Sequence, residues 1–205
     1  EKLPFTYDPV SEEPVMLREE TAPYAYSARN YDGEDIAGLS EGTRAELING
    51  KLYMLAAPSR LHQYLLTELL YELKSHIRRK KGNCQVYTAP FDVRLFGDDS
   101  TIVQPDIAVI CRHDILTDLG CCGAPDWVIE IVSESNSSHD YVRKLIQYQK
   151  AGVREYWIID PLQRLVSVFN FEDARKSAQY TYEDTVPSGV LEGLEIRSRE
   201  LVKGY

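Results

Sequence analysis

The stretch "DWVIEIVSES", residues 126–135, holds a glutamate in the middle of an apolar run. Trp127, Val128 and Ile129 precede Glu130, and Ile131 and Val132 follow it. A short apolar run closed by turn-forming residues reads as a strand covered on both faces. A carboxylate inside such a strand is costly unless a proton, a donor or a cation meets it. Whatever this chain folds into must therefore bring a partner to Glu130. The same demand recurs in "IVQPDIAVIC", residues 102–111, which reads as one strand with Asp106 inside it, directly ahead of Ile107, Ala108, Val109 and Ile110.

Two strand acids this close in sequence suggest neighbouring strands that set their carboxylates side by side. Paired carboxylates repel unless a proton or a cation lies between them. Mg²⁺ or Mn²⁺, hard cations that prefer oxygen ligands, suit such a pair. Glu46, on the first arm of a hairpin, is a candidate third acid. Residue pattern alone leaves plainer alternatives open. A strand acid can face solvent at a sheet edge or pair with an arginine such as Arg94, and Glu46 beside Arg44 can be surface.

The elements around these acids can be read from the chain. In "AELINGKLYMLA" the Asn49-Gly50 pair between alternating apolar residues predicts a two-residue hairpin turn. In residues 59–82 Leu61, Leu65, Leu69, Leu73 and Ile77 recur every fourth position. That spacing predicts a long amphipathic helix, capped by Ser59 and stopped by Gly82, with Arg78, Arg79, Lys80 and Lys81 at the end its dipole favours. A second helix is predicted over residues 137–151. Ser137 is its cap with Asp140 at capping-box spacing, and Gly152 is its stop. Its most apolar stripe is Val142, Leu145, Ile146 and the stem of Gln149. Lys144 falls roughly opposite, on a flank with Tyr141 and Tyr148. "CQVYT", "FDVRLF", "REYWIIDP", "RLVSVFNFE" and "AQYTYED" read as further strands. The order hairpin, helix, strands, helix, strands predicts a mixed sheet with helices packed against it.

Residues 1–34, polar and acidic with scattered Tyr and Pro, read as an N-terminal arm ahead of one domain over 35–205. A chain of 205 residues has core enough for that domain to stand alone. The start "EKLPFTYDPVSEEP" lacks the features of a signal peptide, and no stretch is apolar enough to span a membrane. The four cysteines, Cys84, Cys111, Cys121 and Cys122, match no common zinc spacing and are expected as reduced thiols in the cytoplasm. The net charge of −9 argues against coating nucleic acid through bulk electrostatics. It leaves room for a local basic patch, and "KSHIRRKKG", residues 74–82, is one. No Gly-rich phosphate loop or nucleophile elbow is present, which removes kinase and α/β-hydrolase chemistry.

Several blocks in order carry a resemblance: "RAELINGKLYML", "APSRLHQ", "APFDVRLF", "VQPDIAVI", "GAPDWVIEIVS" and "SHDYVRKLIQYQKAGVREYWIIDP". Pro105-Asp106 followed by the strand of Glu130 resembles the PD-(D/E)XK nuclease superfamily, and the whole set is similar to the Uma-type endonuclease family. The superfamily places a lysine two residues after the glutamate, where this chain has Val132. The family resemblance moves that lysine to Lys144 in the following helix.

The resemblance implies an α/β restriction-endonuclease-like core, a mixed central sheet flanked by helices, with the N-terminal extension and the hairpin added. It further implies phosphodiester hydrolysis of nucleic acid, DNA ahead of RNA, with Mg²⁺ or Mn²⁺. Asp106, Glu130 and the Ile131 carbonyl would hold the cation. Glu46 would ligate it or orient a water, and Lys144 would supply positive charge to the transition state. His62 and Gln63 match the family's "HQ" and would face the substrate. Tyr148 would line the cleft, and Arg78 and Arg79 would hold flanking phosphates. Cutting two strands suggests a homodimer. The alternative is a nuclease fold that binds nucleic acid with little or no turnover, a regulatory module.

Overall fold

In the computed structural model, described residues are 30–40, 42–133 and 138–205, with residues 138–140 described by backbone alone. The expected arm therefore lies almost wholly outside the described residues, as do the expected Ser137 cap and the Asp140 side chain. A short helix α1 (Gly33–Ala37), capped by Asp32, leads into the hairpin β1 (Ala45–Ile48) and β2 (Lys51–Met54). Asn49 and Gly50 have φ of 50° and 74°, the left-handed pair that this tight turn requires. Helix α2 (Arg60–Lys80) follows, then β3 (Gln85–Thr88), β4 (Asp92–Arg94), β5 (Thr101–Val103) and β6 (Ile107–Ile110). A small hairpin, β7 (Leu116–Thr117) and β8 (Gly120–Cys122), precedes β9 (Trp127–Ile131) and α3 (Ser138–Ala151). The chain closes with β10 (Glu155–Asp160), β11 (Leu165–Asn170), β12 (Ala178–Thr181) and a ribbon of β13 (Thr185–Pro187) and β14 (Glu195–Arg197).

The architecture is mixed α/β, and twelve of the described strands divide between two six-stranded mixed sheets, with β13 and β14 paired apart as the ribbon. One runs β2-β1-β5-β4-β8-β7, the other β12-β11-β10-β9-β6-β3. The division corrects one expectation. "IVQPDIAVIC" is two strands, because β5 pairs with β1 and β4 in the first sheet while β6 pairs with β3 and β9 in the second. Pro105 sits at the break, where it donates no ladder hydrogen bond and restricts the residue before it. Asp106 therefore stands at the entrance to β6, ahead of its first paired residue.

The pleat of the second sheet sorts its side chains into two cores. Ile107, Val109, Trp127, Ile129, Ile131, Trp157 and Ile159 project to one side, onto Leu65, Leu69 and Leu73 of α2 and Val186, Leu194 and Ile196 of the ribbon. Ile110, Val128 and Tyr156 project to the other, onto Tyr148 of α3 and Ile48, Val93 and Val103 of the first sheet. Glu130, flanked by two odd-numbered apolar residues, faces with Val128 toward α3 and the first sheet. At about 25 cal/mol per Å² the apolar area removed from water on both faces is the main stabilising term.

Both helix ends show their local causes. The Ser59 hydroxyl accepts the His62 N–H at 3.2 Å and so caps α2. At the other end the left-handed residue is Lys81, with φ 54°, and the Gly82 N–H then closes on the Ile77 carbonyl at 2.9 Å. The cysteines differ from expectation. Cys84 and Cys111 are disulfide-bonded, because the register that sets Gln85 opposite Ile110 makes them the next cross-strand pair. Cys121 is a buried free thiol, pushed up to about 12 by desolvation, and Cys122 is a free thiol at the surface.

Candidate active site

Antiparallel pairing of β6 with β9 sets Ile107 opposite Ile129, so Asp106 and Glu130 meet at the next step along the ladder. Asp106 reaches over that step. Its Oδ2 accepts the Ile131 N–H at 2.8 Å and lies 3.0 Å from His62 Nε2, in the first turn of α2. Glu130 has its own pair of donors. Its Oε1 accepts from Lys144 Nζ at 3.0 Å and from the Tyr148 hydroxyl at 2.9 Å, both on α3. Lys144 also donates to Oε1 of Glu46 at 2.8 Å, from β1 of the first sheet. One ammonium thus joins two carboxylates from different sheets, and all three residues are at least 96% buried.

A cleft of about 60 Å³ opens over this cluster, lined by Arg44, His62, Gln63, Gln104, Asp106, Glu130, Ser133 and Lys144 among others. Glu46 is off the cleft wall, beneath the lysine. Its Oε1 also accepts the Gln104 N–H at 2.9 Å, and its Oε2 is buried with no partner among the described residues. Gln104 ties the floor together. Its side-chain oxygen accepts from Arg44 Nε at 3.0 Å, and its amide donates to Asp92 at 2.9 Å.

Charge in the cluster is unbalanced. Desolvation, opposed by Lys144 and reinforced by Asp106 and Glu46, pushes the Glu130 carboxyl up to about 8. Burial, with the negative charge of Glu130 and Glu46 added, holds the Tyr148 hydroxyl well above its ordinary range, so it stays a donor. Two acids on one ammonium, with Asp106 close to Glu130, favour a further positive charge. The donor set fits a hard cation on a limited scale. Asp106 Oδ1 and Glu130 Oε2 have no hydrogen-bond partner among the described residues, and both residues line the cleft. No three His, Cys, Asp or Glu side chains among the described residues are grouped to hold a metal ion unaided. Two carboxylates with the rest of the shell left to water is the arrangement Mg²⁺ commonly takes.

Of the residues singled out in the sequence, Glu46, His62, Asp106, Glu130, Ile131, Lys144 and Tyr148 come together, and Gln63 lines the same cleft. Tyr148, expected on the cleft wall, is wholly buried and faces Glu130 from behind. Arg78 and Arg79 are elsewhere, sixteen and seventeen residues along α2 from His62, or about 24–26 Å at 1.5 Å per residue. The wheel of α3 also turns over. Val142 and Ile146 are 58% and 45% exposed, while Tyr141, Lys144, Gln147 and Tyr148 are buried. Gln104 and Arg44 escaped the sequence reading. The signal for Gln104 was its place two residues before the key aspartate, which a polar side chain shares with many turn positions.

The family model for Uma2, described as "Putative restriction endonuclease", matches residues 33–199. The chain belongs to the Uma2 family. Its fold is similar to the crystal structure of "a putative nuclease belonging to DUF820 from Anabaena variabilis ATCC 29413", with a TM-score of 0.65 and 23% identity over 78% of this chain and 89% of that one. No curated protein matches the chain. Fold and family together are of nuclease type, as the ordered blocks in the sequence implied. Among the described residues of this Uma2 chain, no helix is long and apolar enough to cross a membrane.

Proposed function

We propose that this Uma2 protein is a divalent-cation-dependent endonuclease acting on the phosphodiester backbone of nucleic acid, with DNA its first substrate. The observation that carries the proposal is that Glu46 and Glu130, from different sheets, meet on the single ammonium of Lys144, with Asp106 beside Glu130 on the neighbouring strand, at an open cleft. A fold has little reason to bury two acids on one ammonium for stability alone, since buried ion pairs often do no better than apolar packing.

Each residue then has a task. Asp106 and Glu130 offer one uncommitted oxygen each to Mg²⁺ or Mn²⁺, which when bound supplies Lewis acidity toward a phosphate and acidity to a water. Ile131 fixes Asp106 through its N–H, and its carbonyl is the further ligand the family resemblance implies. Lys144 lines the cleft and carries the positive charge that a phosphoryl transition state needs. Glu46 holds the lysine from below, and Tyr148 holds Glu130 from behind. His62 orients Asp106 through Nε2, and Gln63 stands at the cleft wall beside substrate. Arg78 and Arg79 are too far from the acids for the phosphate being cut, so any contact of theirs is with a distant part of a long substrate. Action at both strands of a duplex favours a homodimer, and a cytoplasmic enzyme meets such a substrate.

The test is a cleavage panel over duplex DNA, single-stranded DNA and RNA in Mg²⁺ and Mn²⁺, with Asp106→Asn alongside. Cleavage that the variant lowers by about 100-fold or more supports the proposal. Binding to any of these without cutting would instead support the module without turnover.

A further inference from the structure

Arg44 and Glu46 are two residues apart at the start of β1, so they project to the same face of the strand. Glu46 goes deep to Lys144, while Arg44 stays half-buried at the cleft wall. The Leu55 N–H donates to the Arg44 carbonyl at 2.9 Å, which extends the hairpin by one pair and fixes the backbone. The side chain is fixed as well. Arg44 Nε donates to the Gln104 side-chain oxygen at 3.0 Å, and Gln104 is held in turn by Asp92 at 2.9 Å.

That contact uses Nε and leaves the two terminal nitrogens of the guanidinium without a hydrogen-bond partner among the described residues. No carboxylate among them is within ion-pair distance of Arg44 either. Two other part-buried arginines are paired, by contrast: Arg94 with Asp99 at 2.9 Å, and Arg154 with Glu172 at 3.0 Å. The acids of the site already meet donors: Glu46 and Glu130 share the ammonium of Lys144, and Asp106 meets the imidazole of His62. Arg44 is therefore a fixed, always-charged fork on the cleft wall with its two outer prongs unspent. Such a fork matches two oxygens of one phosphate. The cleft is small, at about 60 Å³, and its wall carries charged and polar side chains, which suits a backbone phosphate better than an apolar base.

We infer that Arg44 is the residue that grips a backbone phosphate of the nucleic acid in this cleft, with Gln104 setting the plane of its guanidinium. The inference rests on the proposed nuclease function for its substrate class, and it adds a contact which neither the family signature nor the acid cluster assigns.

Binding of fluorescein-labelled duplex and single-stranded DNA is measured as a function of salt in EDTA and in Mn²⁺, for the full chain and for Arg44→Gln and Arg44→Lys. Arg44→Gln is expected to weaken binding about tenfold and to reduce the slope of log K against log salt by about 0.7–0.9, the contribution of one phosphate contact. Arg44→Lys keeps the charge and loses the Nε bond to Gln104. It is expected to retain the slope while raising KM for cleavage, whereas a purely structural Arg44 would make both variants fail alike with no change of slope. Thermal unfolding of each variant identifies any loss that comes from misfolding. Cleavage by wild type with an unchanged slope in Arg44→Gln overturns the inference alone. Binding without cleavage, with the slope reduced, overturns the nuclease function and keeps the phosphate contact. Absence of binding by wild type overturns both.

Discussion

Two glutamates are buried in neighbouring strands of the same sheet, and the molecule treats them differently. Glu130, on β9, and Glu155, at the start of β10, are 4% and 1% exposed, and burial raises the pKa of each. Glu155 is answered wholly by neutral donors. The Trp157 indole gives a hydrogen bond to Oε1 at 2.8 Å, and Asn170 and the Gly189 N–H give bonds to Oε2 at 3.1 and 2.7 Å. Those bonds tie β10 and β11 to the loop that joins the two strands of the C-terminal ribbon, and Glu155 is not among the residues that line the cleft. Glu130 shares one ammonium with another acid, has a phenol behind it and opens on solvent through the cleft. The difference separates an acid that fastens the fold from one whose charge is left incompletely matched at a surface opening. Burial by itself does not mark the reactive one; the mismatch does.

The largest effect that sharpens this contrast is removal of the ammonium. Lys144→Met leaves Glu46 and Glu130 buried without their shared cation, a change that typically costs about 3–5 kcal/mol. A proton on Glu130, whose carboxyl is already pushed up to about 8, offsets part of that. Thermal unfolding is expected to show the loss, and Mn²⁺-supported cleavage to fall by at least about 100-fold at temperatures where the variant is still folded. Retained cleavage in a folded Lys144→Met would dissolve the distinction between the two acids.

Glu155→Gln is the counterpart. The amide presents an NH₂ group to donors that previously met oxygen, and an unsatisfied buried polar group costs about 1–3 kcal/mol. For a chain of this size that lowers Tm by roughly 2–4 °C per kcal/mol. Cleavage by the folded variant is expected to match wild type, and a lost rate without lost stability would break the comparison from the other side.

The pH dependence of that pair is a finer probe. The folded Glu155 carboxyl is raised above its unfolded value, about 4.3, chiefly by desolvation. The protonated form is thus favoured in the fold, and its contribution is complete below the unfolded pKa and lost as pH rises through the folded one. The stability gap between wild type and the non-titrating Glu155→Gln is expected to be widest near the unfolded pKa and to narrow toward neutral pH in urea unfolding. A gap that widens with pH would mean that the three donors hold the carboxylate more strongly than burial resists it.

Much of this contrast could be seen in the chain, and the parts that could not have specific causes. Asn49-Gly50, the leucine spacing of α2 and the acid within "DWVIEIVSES" each act locally, so sequence exposes them. The direction of α3 misled because an apolar stripe marks the buried face only when the face opposite is apolar. Here the helix turns Tyr141, Lys144 and Tyr148 inward to a polar site and leaves Val142 and Ile146 outside. The break at Pro105 was masked by apolar residues on both sides of it. The Cys84–Cys111 bond and the role of Gln104 depend on register between strands distant in sequence, which periodicity does not encode. The resemblance to Uma-type proteins supplied Lys144 where residue pattern alone set it opposite the apolar stripe of its helix.

The smallest effect isolates the phenol that sits behind Glu130. Tyr148→Phe deletes one donor of the two on Oε1 and keeps the ring packed against Tyr156, with centroids 4.9 Å apart. Lys144 still meets the same oxygen at 3.0 Å, so the carboxylate is weakened in its support and not orphaned. The expected cost is about 1 kcal/mol of stability, the net worth of an ordinary hydrogen bond. Since Tyr148 itself does not line the cleft, KM should hold while kcat falls by less than about tenfold, as for the loss of a hydrogen bond behind a metal ligand. The discriminating measurement is the Mn²⁺ concentration at half-maximal rate. If the phenol orients Glu130 toward a cation, that concentration rises with Tyr148→Phe; if it only fills the core, stability falls and the Mn²⁺ dependence does not move.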